Sequence, residues 1–489
     1  MSVARALVLT SLLTAGCTVG PDYVSPSDPT QTTYVRLRSA SADHDAASDR
    51  TQIVAIGKIP PDDWWTLLGS EQLDRLVKLA LANNQSLVSA EAHLQAARER
   101  MGAVRGAQFP QVDAATSAQR TRIGATVFGS QAKDFPSFSA YASGVEVSYD
   151  LDLFGGTRRR IERAGAEAQY QAALRDAAAL SISGNVVLQA LQIASLGEQI
   201  RVVDTIVADD ERMLRLIRGA NTAGAVSRMD VLSAQSQTDH DRTLLPPLRQ
   251  QLGVSQDALA ILVGAAPADW PAQDFSLRQM TLQGEIPAAL PSELVHRRPD
   301  IAAAEAQLHA ASASVGIATA NLYPDLTLDG SIGREGLLGG GPSETAWNIL
   351  GGLTAPVFHG GTLNAERQAA VEDYQAAFGT YRETVLEAFG QVADMLQALT
   401  NDREALSAQQ RALESARASV DLTRQGYEGG NAGFLQVLDA QRLHQEAQLG
   451  TVQAETQSYV DAVKLLLAAG GHVYEKRPGA VARGGTASP

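Results

Sequence analysis

The spacing of apolar and polar positions changes period several times along this chain, and the sequence of changes recurs. From about Ser70 to Gln108 the apolar residues fall at helical spacing, and Pro110 stops the run. A strand-like stretch follows from Val112 to about Ile123, then a loop containing Gly, Ser and Phe to about Ala140. Next comes the clearest alternation in the chain. Tyr141, Ser143, Val145, Val147, Tyr149, Leu151 and Leu153 interleave with Ala142, Gly144, Glu146, Ser148, Asp150 and Asp152. That period predicts a strand with one apolar, aromatic face and one small, acidic face. Beyond Gly155-Gly156 a helical pattern runs from about Thr157 to Arg218. Ile182, Val186, Ile193, Leu196, Ile200, Val203, Val207, Leu214 and Ile217 lie on a 3-4 heptad seam, and polar Gln189 and Asp210 occupy its two vacant positions. About 60 residues at roughly 1.5 Å each make a rod of about 90 Å. Gly219 to Gly224 break it, and a second helix, about Ser227 to Val263, returns past a Pro246-Pro247 interruption.

The same order then repeats. A helix is expected over about Pro291 to Asn321. Leu326, Leu328 and Ile332 alternate with Thr327, Asp329 and Ser331, and a loop carries Gly339-Gly340-Gly341-Pro342. Trp347, Ile349, Leu353 and Val357 mark another strand. A long helix, about Thr362 to Gly426, has its seam at Val385, Phe389, Val392, Leu396, Leu399, Leu406, Leu413, Val420 and Tyr427. Gly429-Gly430 break it, and a return helix covers about Phe434 to Ala469. Residue matches accompany the matched pattern. Asn84-Gln85-Ser86-Leu87 reads against Arg298-Pro299-Asp300-Ile301, Gly155-Gly156-Thr157 against Gly360-Gly361-Thr362, and Val231-Leu232-Ser233-Ala234-Gln235 against Val437-Leu438-Asp439-Ala440-Gln441. One structural unit therefore occurs twice. The predicted layout is a signal peptide at 1–16, an N-terminal tether at 17–61, a first repeat at 62–268, a crossing segment at 269–290, a second repeat at 291–470 and a loose tail at 471–489. Trp64-Trp65 either staple the first helix start or pack on a neighbouring subunit; stapling is the simpler reading.

Each copy offers two amphipathic strands of about ten residues, the length of a tilted strand that crosses a bilayer. Four strands cannot close a barrel, and an open edge in lipid leaves unpaired backbone groups. Other chains must meet those edges, and a practical minimum of ~8 strands allows two, three or four of them. The heptad rods likewise cannot bury their seams alone. The expected class is an α+β membrane protein, a strand barrel with a sheath of long helices, and such a tube is a conduit. Amphipathic strands at equivalent places in both copies argue against the competing reading, a lipid-anchored coiled-coil scaffold or adhesin.

Composition narrows this further. The chain has 489 residues, 45% hydrophobic but only 5% aromatic, which suits long helices packed through small side chains. A net charge of -14 disfavours nucleic acid, whose phosphates need a basic face. No run of ~20 apolar residues follows the N-terminus, so no membrane helix is expected. Arg5 precedes a short apolar run, Ala6 to Leu13, and small residues lead into the single cysteine, Cys17. That arrangement is a lipobox, with Thr14 where leucine is usual, and it makes Cys17 the lipidated first residue of the mature chain. An unused thiol is a poor feature in an oxidising periplasm, which favours lipidation over an ordinary signal peptide. Thr18 after the cysteine favours the outer membrane. His-Glu-x-x-His, Walker-type and Gly-x-Ser-x-Gly motifs are absent from the sequence, the eight histidines are scattered and the six methionines do not cluster. Neither an enzyme nor a metal or organic cofactor is expected.

The polar residues of interest lie at the helix breaks. Asp230 follows Gly224, and Asp439 follows Gly430; Gln436 stands opposite Asp230, and Ser233 opposite Asp439. Where rods from symmetry-related subunits converge, these carboxylates would form an acidic ring attractive to cations, with Arg228 and Arg424 placed to pair across it. The simpler reading of each carboxylate is a partner for a helix dipole.

Leu13 through Tyr23, Trp64-Trp65, Asp152-Leu153-Phe154-Gly155-Gly156, Leu290 through Glu305, and Tyr427-Glu428-Gly429-Gly430 with Val437-Leu438-Asp439-Ala440-Gln441 together carry a family resemblance. The chain resembles the outer-membrane factor lipoproteins of tripartite exporters, the NodT-like and OprM-like branch of the TolC superfamily. The resemblance implies a homotrimer with a 12-stranded barrel and an α-helical tunnel, and an equatorial belt from the inter-repeat and terminal segments. It also implies a periplasmic adaptor and an inner-membrane pump, commonly of the RND type, as partners, with drugs or other small molecules as cargo. Export of proteins, oligosaccharides or metal ions is the alternative within transport. A periplasmic gate is implied too: Tyr427 and Asp230 match its latch and Asp439 one ring aspartate, whereas Gln436 and Ala432 depart from the TolC pattern of a second ring aspartate and a latch arginine.

Overall fold

The computed structural model describes residues 18–31, 33–34, 54–122, 137–280, 282, 285–340 and 342–470. The period-2 segments form strands β2 (Gln111–Thr121), β3 (Phe138–Leu151), β5 (Asp325–Leu337) and β6 (Glu344–Thr354); short β1 (Val54–Ile56) and β4 (Ile286–Ala288) lie elsewhere. Helices are α1 (Glu71–Asn83), α2 (Gln85–Gly106), α3 (Gly156–Thr222), α4 (Arg228–Arg242), α5 (Leu245–Leu262), α6 (Pro291–Arg297), α7 (Pro299–Ala320), α8 (Thr362–Glu428) and α9 (Phe434–Ala468). The two long helices, α3 and α8, are each 67 residues and both start and end 206 positions apart, from Gly156 to Thr362 and from Thr222 to Glu428. Two compact units result, one from Met1–Pro26, His93–Ala172 and Ala303–Arg382, the other from Ser27–Ala92, Ala173–Ala302 and Glu383–Pro489.

In the first unit the four long strands make one antiparallel sheet in the order β2-β3-β5-β6, so the two repeats meet at the β3–β5 pair. Cross-strand partners share a face. Val112, Val147, Gly330 and Ile349 are in register, as are Ala114, Val145, Ile332 and Trp347. The next positions along give the opposite face: Asp113, Glu146, Ser331 and Asn348. One face of the sheet is therefore an apolar belt and the other is polar and acidic. The belt is open to solvent in the single chain, with Trp347 71% and Ile349 80% exposed. Val357, expected in the last strand, lies beyond it, because pairing with β5 ends at Thr354. Ile123 lies outside the described residues, as does most of the loop that follows.

The segment after Cys17 is more firmly held than a loose tether. Val19 N donates to Phe154 O at 3.0 Å. Buried Arg159 spreads its guanidinium over Val19 O, Gly20 O, Asp22 and Glu162. Tyr23 stacks on His309 with ring centroids 4.2 Å apart, and both Tyr23 and Ser25 donate to Glu305. A planar five-donor group can satisfy a backbone segment and two carboxylates at once, which is why arginine serves here.

In the second unit the expected tether again contains structure. β1 pairs in parallel with β4 of the crossing segment, with Val54 opposite Ile286 and Ile56 opposite Ala288. Trp64 and Trp65 are buried in a 3-10 turn, and Trp65 Nε1 donates to Asp74 in the first turn of α1 at 3.0 Å, so they staple the helix start. The seam residues of α3 are covered: Val186 and Val203 are fully buried and Ile193 and Leu196 nearly so. A polar contact binds the same face to α9, where Thr456 donates to Ser195 at 2.9 Å. α3 does hold one 18-residue window apolar enough to cross a membrane, against expectation, but 56% of that window is buried in the chain. α8 is less covered: Val392, Leu399 and Val420 are buried, while Val385, Phe389, Leu396, Leu406 and Leu413 are only partly so.

The single helices expected over 70–108 and 291–321 are each broken, and at aligned positions. Asn84 adopts an extended backbone, φ -63° and ψ 126°; its Oδ1 accepts from Ser86 N and Leu87 N to cap α2. Arg298 is extended likewise, φ -81° and ψ 122°, because proline at 299 disfavours the helical conformation in the residue before it. Helical continuation past Gly219 to Thr222 differs from expectation, and the interruption expected at Pro246-Pro247 falls slightly earlier, at Thr243–Leu244; Pro246 opens α5 within its first turn, where no amide donor is needed.

Arg298 is 7% exposed, and its guanidinium donates to both Asp300 oxygens, to Gln391 and to Ala468 O. Arg298→Ala strands these acceptors and is expected to lower stability by about 2–4 kcal/mol in chemical denaturation. Arg298→Lys is expected to recover less than half, since a point ammonium cannot reproduce the forked geometry.

Candidate functional site

The helix breaks are built from local backbone rules. α3 ends in a turn where Ala225 N returns to Ala220 O and Gly224 takes φ +78°. α8 ends the same way, with Asn431 N on Gly426 O and Gly430 at φ +75°. A left-handed residue at a helix end falls to glycine because any Cβ would be strained there. α4 then starts on Ser227, whose Oγ accepts from Asp230 N at 3.2 Å while Asp230 Oδ2 accepts from Ser227 N at 2.9 Å. This is a complete capping box. At the start of α9 Gly433 has no hydroxyl, and Gln436 Oε1 accepts from Gly433 N at 3.1 Å.

The two breaks share one apolar cluster. Leu214 and Ile217 of α3, Ala234 of α4 and Phe434 of α9 are buried together, with Met213, Val226, Val231, Tyr427 and Leu438 packed around them. The Tyr427 and Phe434 rings are 6.0 Å apart and tilted by 56°. Beside them opens a cavity of about 480 Å³ whose polar lining is Asp209, Arg212, Arg424, Tyr427 and Glu428. Two cations and two anions line it over an apolar floor of Met213, Leu216, Ile217 and Val437.

Of the residues expected to act here, Tyr427 and Arg424 meet in the cavity wall. Asp230 and Gln436 occupy the same N3 position of their helices and hold caps; Gln436 thus keeps the structural role of its aligned aspartate. Asp439 is exposed and accepts from Arg442 at 3.0 Å, a contact that, with Glu446, raises the already high pKa of that arginine. Arg228 opens α4 on the exposed surface, outside the cavity lining. Cys17 lies outside the described residues; its neighbour Thr18 packs against Gly155, where an added Cβ would come within 2.6 Å of Thr18 Cγ2. Phe434, Arg212 and Asp209 were not anticipated. Leu214 and Ile217 were legible as seam positions, and the apolar residues flanking Gly429-Gly430 were the available signal for the rest.

Comparison with known proteins bears on the chain as a whole. The family model described as outer membrane efflux protein matches residues 76–265 and 290–471. The pyoverdine export outer membrane protein OpmQ of Pseudomonas aeruginosa is 31% identical over 89% of this chain and 93% of its own. Nodulation protein T of Rhizobium leguminosarum bv. viciae is 27% identical over 96% and 93%. Among solved structures, the outer-membrane channel OprN superposes with a TM-score of 0.83 at 27% identity, covering 93% of this chain and 99% of that one.

Two substitutions separate capping from packing. Ser227→Ala is expected to cost about 1 kcal/mol and to raise hydrogen exchange selectively in the first turn of α4. Phe434→Ala, which empties the shared cluster, is expected to cost about 3 kcal/mol or more and to raise exchange at both breaks.

Proposed function

The chain belongs to the outer membrane efflux protein family, and from that premise we propose that it is the passive exit duct of a tripartite efflux pump. The duct is a homotrimer in the outer membrane with a large periplasmic portion. Its strands close a 12-stranded barrel and its long helices form an α-helical barrel. The observation that carries this reading is the sheet of β2, β3, β5 and β6, with one apolar face, one acidic face and two edges that no other strand pairs among the described residues. Lipid supplies no hydrogen bonds, so β2 and β6 each need a neighbour, and three copies supply them in a closed ring. The polar face, where Asp113, Glu146, Ser148, Asp329 and Asn348 line a groove, then faces a water-filled lumen. The partly covered seam of α8 supports the same assembly, since subunit contacts would bury it.

Energy comes from an inner-membrane pump of the RND type, reached through a periplasmic adaptor; the sequence carries no nucleotide motif. The cargo is small molecules such as drugs, in line with the export of pyoverdine, solvent and toluene named for its relatives. Residues 62–268 and 291–470 are the two repeats, joined by the crossing at 269–290. Asp230, Asp439, Gln436, Arg228, Arg424 and Tyr427 surround a constriction at the helix breaks, where Arg424 and Tyr427 restrain the closed form. Cys17 carries the lipid. Its neighbour Thr18 sits at the junction where β3 gives way to α3, so acyl chains there enter the bilayer beside the strands.

Single-channel recording in planar bilayers tests the duct. The purified trimer is expected to conduct weakly, and the Asp230→Ala, Tyr427→Phe double variant to conduct several-fold more. A correctly folded trimer that never conducts, in either form, sinks the proposal. Metabolic labelling with a radioactive fatty acid tests the anchor: the native chain is expected to take up label and Cys17→Ser to lose it.

A further inference from the structure

Away from the breaks, each helical hairpin brings a pair of carboxyls together between its outgoing and returning helices, both buried in the first hairpin and Asp402 half-buried in the second. In the first, Asp210 of α3 is 5% exposed, Asp241 of α4 is 4% exposed, and the two lie within hydrogen-bonding reach. Gln237 Nε2 donates to Asp241 Oδ2 at 2.8 Å, and Gln445 of α9 faces Asp210. Asp210 Oδ2 is nevertheless buried without a hydrogen-bond partner among the described residues. In the second, Asp402 of α8 meets Asp461 of α9, and Asp402 Oδ2 is buried without a partner too. Asp461 accepts from Gln457 at 2.8 Å and Lys464 at 2.9 Å.

The surrounding charges do not neutralise the first pair. Asp209 is paired with Arg212, and Glu211 and Asp239 with Arg242. His444 of α9, adjacent to Gln445, has its pKa lowered by burial and by Arg417 of α8, with Asp421 opposing. The groups facing Asp210 are thus one carboxyl and one amide. For Asp402 they are Asp461 and Lys464, and the lysine is already committed to Asp461. Two touching carboxylates out of water repel strongly, and a carboxylic O–H between them removes the repulsion and fills the vacant acceptor.

We propose that each helical hairpin is clasped by one shared proton, held between Asp210 and Asp241 in the first and between Asp402 and Asp461 in the second, and that losing it loosens the returning helix. Burial, then Asp241, pushes Asp210 up to about 8; burial, then Asp461, pushes Asp402 up to about 6. Asp461 is lowered despite its burial, by Gln457 and Lys464, so the second proton resides on Asp402. The folded state holds protons that the unfolded state releases above about pH 4. Stability from the first clasp is therefore complete in acid, declines as pH rises and is gone by about pH 8. That from the second is gone by about pH 6.

The test uses the full-length protein in detergent. Its infrared spectrum at about pH 7 should contain a protonated-carboxyl band that Asp210→Asn removes in part and Asp402→Asn does not. Its melting temperature should fall between about pH 6 and 8. Asp210→Asn and Asp241→Asn should each reduce that slope to less than half, and both should melt above the native protein at about pH 8.5. Asp402→Asn should flatten only the acid limb. A missing band, an unchanged slope in both first-hairpin variants, or a melting temperature raised by calcium and restored by chelator would overturn the shared proton. The last outcome would mean that a cation bridges two ionised groups. None of these readouts depends on conduction, so their failure is distinguishable from failure of the duct.

Discussion

Backbone hydrogen bonding at the edges of one sheet constrains everything else in this molecule. β2 and β6 bear N–H and C=O groups with no strand partner among the described residues, flanked by an apolar belt that includes Val112, Trp347, Ile349 and Leu353. Water could satisfy those edges, but only by exposing the belt; lipid could cover the belt, but only by starving the edges. A neighbouring copy of the same sheet resolves the conflict, and each new edge recreates the need until a ring closes. The long helices face a related demand, because a heptad seam of one rod needs another rod. The duplicated chain answers part of it internally, α3 packing against α9, and leaves α8 half covered.

Duplication has preserved backbone geometry more faithfully than chemistry. The break before α2 depends on an asparagine side chain that caps the following helix, whereas the aligned break before α7 depends on proline acting on Arg298. The turns after α3 and α8 both use left-handed glycine, yet one return helix is capped by Ser227 with Asp230 and the other by Gln436 reaching back to Gly433. The side-chain caps satisfy orphan helix-start donors, and the glycine turns satisfy orphan helix-end carbonyls. Similar backbone geometry is thus built from different side chains in the two copies. The residues around Tyr427 are different: cavity, ring pair and apolar cluster depend on particular side chains.

Much of this was legible from spacing. The strands of β3 and β5, the seam of α3, the glycine breaks and the return helices all lie within a few residues of their expected limits, because alternation and heptads are written locally. Asp210 also announced itself as a polar residue in a hydrophobic seam. What it touches was not legible, since Asp241 lies on another helix and nothing in local spacing selects it from neighbouring carboxylates. The same holds for Arg298, whose partners Gln391 and Ala468 are more than 90 residues away in the chain. The strap formed by Asp22, Tyr23 and Ser25 reads only as a tether for a like reason: a Pro- and Asp-rich segment has no period, and its contacts come from Arg159, Glu305 and His309.

By itself, then, the sequence determined periods, breaks, duplication and the two-faced character of the strands, because each follows from neighbours within about four residues. Only the tertiary structure decided that Asp230 and Gln436 serve as caps, that Tyr427 and Arg424 share a cavity with Arg212, and that two carboxyls face one another in both hairpins. The caps are local, formed three residues apart, but the cavity and the carboxyl pairs depend on which helix faces which after tens of residues, through the rotation of rods around their axes. A shift of one residue in that rotation would leave every local pattern intact and change every one of these contacts.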